Sequence, residues 1–251
     1  DDVSEPPPAP HAVKVKHMAA TTGNAPSRDN AIQSIPTPHT GQVMHLTHIL
    51  YLHGFRSSPR SNKAQQMAKA IAACQRADHP LVWACPQLPP SPRQAIDELT
   101  ALTAHRPRET TAVIGSSLGG FYATVMGEKL GCQVAVINPA VHPDRDLARY
   151  IGEQTQFHDP ADRFFFRPEF IDELTALAPY PITRPERYWA LIAKGDEVLN
   201  WQEMVASYPG VDLTLLEGSD HAVSDFDQYE GLLTQWMGLP SPTPHPHSYK
   251  A

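Results

Sequence analysis

Short apolar runs alternate with stretches of helical period along most of this chain, and that alternation narrows the folds open to it. Ile49-Leu50-Tyr51-Leu52, Leu81-Val82-Trp83-Ala84, Thr111-Ala112-Val113-Ile114, Val134-Ala135-Val136-Ile137 and Tyr188-Trp189-Ala190-Leu191-Ile192 are continuously apolar or nearly so. A strand reads this way when helices cover both of its faces, as in a parallel sheet. Val211, Leu213 and Leu215 instead alternate with polar residues, which predicts an edge strand with one wetter face. Between the runs, Ala64, Met67, Ala68 and Ile71 share one helical face, and Ala95, Ile96, Leu99 and Leu102 another. Ser91-Pro92 opens the second helix, with a cap residue followed by proline at the first helical position. A third helix carries Phe121, Tyr122, Val125 and Met126 and stops at Gly131. Ser224 through Asp227 has the form of a capping box ahead of Tyr229, Leu233 and Trp236. Strand and helix in this order imply a parallel sheet wrapped on both sides.

One such strand ends in Gly115-Ser116-Ser117-Leu118-Gly119-Gly120, directly ahead of the third helix. This fits G-x-S-x-G, a sharp turn that lifts the middle serine above the sheet, and it makes Ser117 the candidate nucleophile. The pattern alone arises by chance in roughly one chain in ten of this length. Its strand–turn–helix setting is what gives it weight. The Lys of a phosphate-binding P-loop is absent from it.

A serine hydroxyl needs a base to take its proton, and the base needs a third group to orient it. In α/β-hydrolases these follow in the order Ser, acid, His, on loops after later strands. Asp196, in Lys194-Gly195-Asp196-Glu197, and His221, in Gly218-Ser219-Asp220-His221, occupy those places. Asp196 is preferred as the acid to Glu197, one residue on, and to Asp220, whose adjacency to His221 makes orientation awkward. Backbone N–H donors for an oxyanion are assigned to Leu118, after the nucleophile, and to Phe55, in the loop His53-Gly54-Phe55 after an early strand. His53 is expected to brace that loop rather than act as a base. No histidine spacing matches a metal motif such as H-E-x-x-H, so neither metal nor organic cofactor is implied.

At 251 residues, with 41% hydrophobic residues, the chain can bury one substantial core. Its net charge of −7 argues against nucleic acid as a partner. No run reaches the ~20 apolar residues of a membrane-spanning helix. Asp1-Asp2-Val3-Ser4-Glu5-Pro6 lacks a signal peptide's basic-then-apolar pattern, and Cys74, Cys85 and Cys132 offer no disulfide framework. The cytoplasm is the expected compartment. Residues 1–43, rich in Pro, Ala, Thr, Ser and His, and the Pro-rich tail 240–251 are expected to be disordered. Met44 is a candidate natural start.

Several short motifs carry a resemblance. Tyr51-Leu52-His53-Gly54-Phe55, Ser58-Pro59, Lys63-Ala64-Gln65, the elbow at 115–120, Asn138-Pro139-Ala140, Gly195-Asp196-Glu197-Val198-Leu199 and Asp220-His221 occur in order between about Met44 and Gly238. Together they resemble the YqiA-type esterases, small bacterial α/β-hydrolases. The resemblance implies carboxylesterase activity on acyl-CoA and simple aryl esters, with Ser117 as nucleophile, Asp196 as acid and His221 as base. Asn200 stands where relatives more often carry Asp.

The fold expected over 44–239 is therefore an α/β-hydrolase with a trimmed sheet of about six mainly parallel strands, helices on both faces and a small helical cap insertion at about 141–187. The aromatics of that insertion, among them Phe164-Phe165-Phe166, either anchor its helices or wall an acyl site. The expected substrate is a small ester or thioester. Two alternatives remain at this level: an amide or peptide hydrolase with the same residues, and a non-catalytic binding or scaffold protein on a hydrolase fold.

Overall fold

The computed structural model describes residues 45–240, so the expectations for residues 1–43 and for most of the tail fall outside the described residues. In chain order the elements are β1 (His48–Leu52), α1 (Asn62–Cys74), β2 (Val82–Ala84), α2 (Pro92–Thr103), β3 (Thr111–Ser116), α3 (Leu118–Leu130) and β4 (Gln133–Ile137). They continue with α4 (Pro143–Leu147), β5 (Gly152–Thr155), β6 (Arg163–Phe166), α5 (Glu169–Leu177), β7 (Tyr188–Ala193), α6 (Trp201–Ser207), β8 (Asp212–Leu216) and α7 (Glu230–Trp236). Six strands form one sheet in the order β2-β1-β3-β4-β7-β8, and each pairing is parallel. All their carboxyl ends therefore open on the same side, where ligands bind in open α/β sheets.

The period of two along each strand sorts the core into two layers. Leu50, Leu52, Val113, Val134, Val136, Ala190 and Ile192 face α2, α3 and α6. Ile49, Tyr51, Ala112, Ile114, Ala135, Trp189 and Leu191 face α1 and α7, where Trp189 stacks on Trp236 at 6.5 Å. Ser61 caps α1 and Ser91 caps α2, each accepting from a backbone N–H, for about 1 kcal/mol apiece. Gly131 ends α3 in the left-handed conformation, at φ 71°.

Four local expectations need correction. Val82 is exposed and β2 is a three-residue edge strand rather than a strand covered on both faces. Leu102 is exposed although it continues the period of α2. On β8 the drier face carries Thr214 and Leu216, while Leu213 and Leu215 are half-buried, because α7 covers the first face and short α6 only part of the second. Ser224 does not cap α7; its N–H and hydroxyl bond Asp220, and a short 3-10 turn at Phe226–Gln228 intervenes.

The insertion between β4 and β7 is also only partly helical. Between α4 and α5 it holds an antiparallel hairpin, β5 with β6, separate from the main sheet. Arg163-Phe164-Phe165-Phe166 is a strand of that hairpin: Phe166 is buried and Phe165 points outward. Phe164 and Phe166 pack edge-on against Phe55, with centroids 6.0 and 5.1 Å away, which ties the hairpin to the body.

Candidate active site

Ser117 sits between the last residue of β3 and the first of α3 with φ 57° and ψ −124°, outside the conformations a serine prefers. Its surroundings hold it there. Its N–H donates to the Ile137 carbonyl at 3.0 Å, and its own carbonyl accepts from Gly120 at 2.9 Å and Ala140 at 3.0 Å. A Cβ on Gly115 would lie 2.0 Å from the Gly119 oxygen, and one on Gly119 would lie 2.0 Å from the Leu52 oxygen. Helix and strands approach so closely that neither position admits a side chain.

Ser117, His221 and Asp196, up to 104 residues apart, form one hydrogen-bonded line. His221 Nε2 is 3.0 Å from Ser117 Oγ, and Nδ1 is 2.7 Å from Asp196 Oδ2. A carboxylate can only accept, so Nδ1 carries a hydrogen and Nε2 is left to accept from the serine hydroxyl. Asp196 has a fully buried side chain whose other oxygen accepts from the N–H groups of Val198 and Leu199, both at 2.8 Å. Glu197 accepts instead from the His221 backbone N–H at 2.9 Å. Asp220 is turned to Ser224, whose hydrogen bonds hold its carboxyl below the ordinary value.

The loop after β1 lies against Ser117: a Cβ on Gly54 would stand 3.2 Å from Ser117 Cβ. Gly120 and Phe121 direct their N–H groups to the Ser117 carbonyl, while those of Phe55 and Leu118 go to no acceptor among the described residues. His53 is buried with both ring nitrogens engaged. Nε2 accepts from Leu88 N–H at 3.2 Å, so Nδ1 donates to the Gly54 carbonyl at 3.0 Å. Burial lowers its pKa, partly opposed by the Gly54 bond, so the ring braces the loop in its neutral form.

Asn138, with no assigned role in the sequence reading, is fully buried at the end of β4. Its Oδ1 accepts from Ala193 N–H at 2.8 Å; its Nδ2 donates to the carbonyls of Asp220 at 3.1 Å and His221 at 3.2 Å. One amide thus fixes the loop carrying His221 to the strand that leads to Asp196. It stands in Asn138-Pro139-Ala140, where its place just past an apolar run was the available signal. The five described non-glycine residues at positive φ are Arg56, Ser117, Asn138, Ser219 and Val223. All lie on these strand-end loops, and such conformations cost ~1–3 kcal/mol each unless surrounding contacts impose them.

Ser117 and His221 open on two pockets. One, of about 180 Å³, has walls from Phe55, Leu118, Leu147, Tyr150, Phe157 and Leu199. The other, of about 510 Å³, lies over the start of α1. The hairpin triplet Phe164–Phe166 lines neither. Its Phe164 and Phe166 pack the insertion onto Phe55, whereas Leu147, Tyr150 and Phe157 from the same insertion form walls of the smaller pocket. Asn200 caps α6 by accepting from Gln202 and Glu203, a task Asn performs as well as Asp. Among the described residues no helix is long and apolar enough to cross a membrane.

Six parallel strands wrapped by helices, with a strained serine on the strand–helix turn of the third, define an α/β-hydrolase fold. Within that class the chain belongs to the family described as Uncharacterised protein family (UPF0227), which matches residues 48–236 and is the YqiA-type family of the resemblance above. Solved structures agree on the fold. A putative hydrolase from Agrobacterium vitis S4 is 18% identical with a TM-score of 0.58, over 76% of this chain and 88% of that one. A structure from work on LipS and LipT, two metagenome-derived lipolytic enzymes, is 15% identical with a TM-score of 0.59, over 77% and 94%. Est1E from Butyrivibrio proteoclasticus, with ferulic acid bound, is 13% identical with a TM-score of 0.53, over 81% and 90%.

Proposed function

We propose that this chain is a serine hydrolase that cleaves esters or thioesters of small acyl groups through an acyl-Ser117 intermediate. The observation that carries the reading is the unbroken line from Ser117 Oγ through His221 to the buried Asp196 carboxylate. In this reading Ser117 Oγ attacks the carbonyl carbon while its proton passes to His221 Nε2. Asp196 holds the ring in place and stabilises the imidazolium that forms. The carbonyl oxygen, now anionic, takes hydrogen bonds from the free N–H groups of Phe55 and Leu118. Collapse of the tetrahedral intermediate breaks the bond to the alcohol or thiol, which leaves with the proton from His221. Water then attacks the acyl group, gives a proton to His221 and releases the acid, and Ser117 recovers its hydrogen. No step requires a metal or an organic cofactor.

The test is hydrolysis of p-nitrophenyl esters of graded acyl length by wild type and Ser117→Ala, with fluorophosphonate labelling alongside. Wild type should label at Ser117 and turn over the shorter esters, and the variant should lose about 10⁴-fold or more in kcat. Equal rates in the two proteins would end the proposal.

A further inference from the structure

We propose that the larger pocket at Ser117 binds an anion on the alcohol half of the substrate, a carboxylate or phosphate a few bonds from the scissile ester, held by Lys63 and Lys69. This deepens the hydrolase reading and rests on it. The two pockets that meet at Ser117 differ in chemistry as well as in volume. The small one is walled mostly by rings and aliphatic side chains, with Arg56 and Arg149 offset by Asp146 in its lining, and suits a short acyl chain. The large one is lined by Ser57, Ser61, Asn62, Gln66 and both lysines, and no carboxylate lines it. On a chain of net charge −7, a pocket lined by two lysines and no carboxylate departs from the overall balance.

Both lysines are available. Neither forms an ion pair among the described residues. Lys63 Nζ donates to the Ala222 carbonyl, which leaves two of its three hydrogens for a ligand. Desolvation pushes its pKa down to about 8, although Asp220 and Asp196 pull the other way. Lys63 is half-buried, so its ammonium has less water to shed on meeting an anion than a fully exposed one would. The positive end of α1, capped by Ser61, adds charge of the same sign.

The same contact sets the orientation of the substrate. Ala222 follows His221, the residue that returns the proton to the departing oxygen, so an anion held by Lys63 would keep that oxygen beside the ring. A coenzyme A thioester carries its phosphates far along the pantetheine arm, so an anion close to the ester is a distinct requirement.

The experiment compares butyryloxyacetate with its neutral near-isostere butyryloxyacetamide, and 2-(butyryloxy)ethyl phosphate with 2-(butyryloxy)ethyl methyl ether. Wild type should favour the anionic member of at least one pair by about tenfold in kcat/KM. Which pair shows the preference separates carboxylate from phosphate. Lys63→Gln should bring that ratio toward one, and Lys69→Glu, on an exposed helical position, should take it below one. A wild-type ratio of one or less in both pairs overturns the proposal, as does a ratio that survives in both variants. If p-nitrophenyl esters are still cleaved by Ser117, only this inference has failed. If no ester is cleaved and Ser117 does not label, the hydrolase reading has failed with it.

Discussion

The strand-end loops and the β5–β6 hairpin lie on the same side of the molecule and are built on opposite principles. Around Ser117 the chain is held by backbone hydrogen bonds, by the buried Asn138 amide and by glycines with no room for a side chain. The hairpin is held by ring contacts to Phe55 and by Arg56, whose guanidinium bonds the Thr155 carbonyl at 2.7 Å and lies over the Phe157 ring at 4.5 Å. Its Phe157 and Phe165 remain 70% and 58% exposed. The first region holds Ser117, His221 and Asp196 within hydrogen-bonding distance of one another. The second contributes Phe157 to the space around them.

That contrast can be broken most severely at Gly119. Gly119→Ala pushes a methyl group into the Leu52 carbonyl, and overpacking of this kind costs ~1–3 kcal/mol, or roughly 2–12 °C in Tm. Labelling of Ser117 should vanish as well. A stable Gly119→Ala protein that still labels would show that the elbow has slack.

Asn138→Ala should come next. It leaves three backbone groups without their partner and loosens His221, so kcat should fall roughly tenfold to a hundredfold with KM little changed. Asn138→Asp sharpens the point, since it keeps the acceptor for Ala193 and loses the donors to the carbonyls at 220 and 221. A normal kcat in the Asp variant would remove Asn138 from the positioning of the base.

The smallest effect is expected on the hairpin. Phe157→Ala should leave Tm within about 1–2 °C, because so exposed a ring contributes no more than ~0.5 kcal/mol. It should still shift the preference among acyl lengths several-fold, because Phe157 lines both pockets. A large loss of stability would mean that the hairpin is part of the frame after all.

The same contrast explains what could be read from the sequence. Runs such as Val113-Ile114 and Leu191-Ile192 announce buried parallel strands because both faces must be apolar, and the spacing of Gly115, Ser117 and Gly119 is dictated by a turn too tight for side chains. Ser117, Asp196 and His221 were therefore legible from position along the strand order. The hairpin was not. Its four-residue strands are too short to set a period against the helices beside them, and Phe164-Phe165-Phe166 is apolar on both faces although only one is buried. Asn138 and Lys63 act through groups distant in the chain, at 193, 220, 221 and 222, and no local pattern encodes such partners.

The strand order β2-β1-β3-β4-β7-β8 also places the site on a clock. During synthesis the elbow leaves the ribosome with β3, while Asp196 follows β7 and His221 follows β8. While the 104 residues from Ser117 to His221 are being made, the serine has not yet met its hydrogen-bond partner. On the proposed reading, a nascent chain would be inert toward esters until β8 and the loop carrying His221 have emerged, and any product cut short before His221 would lack the base.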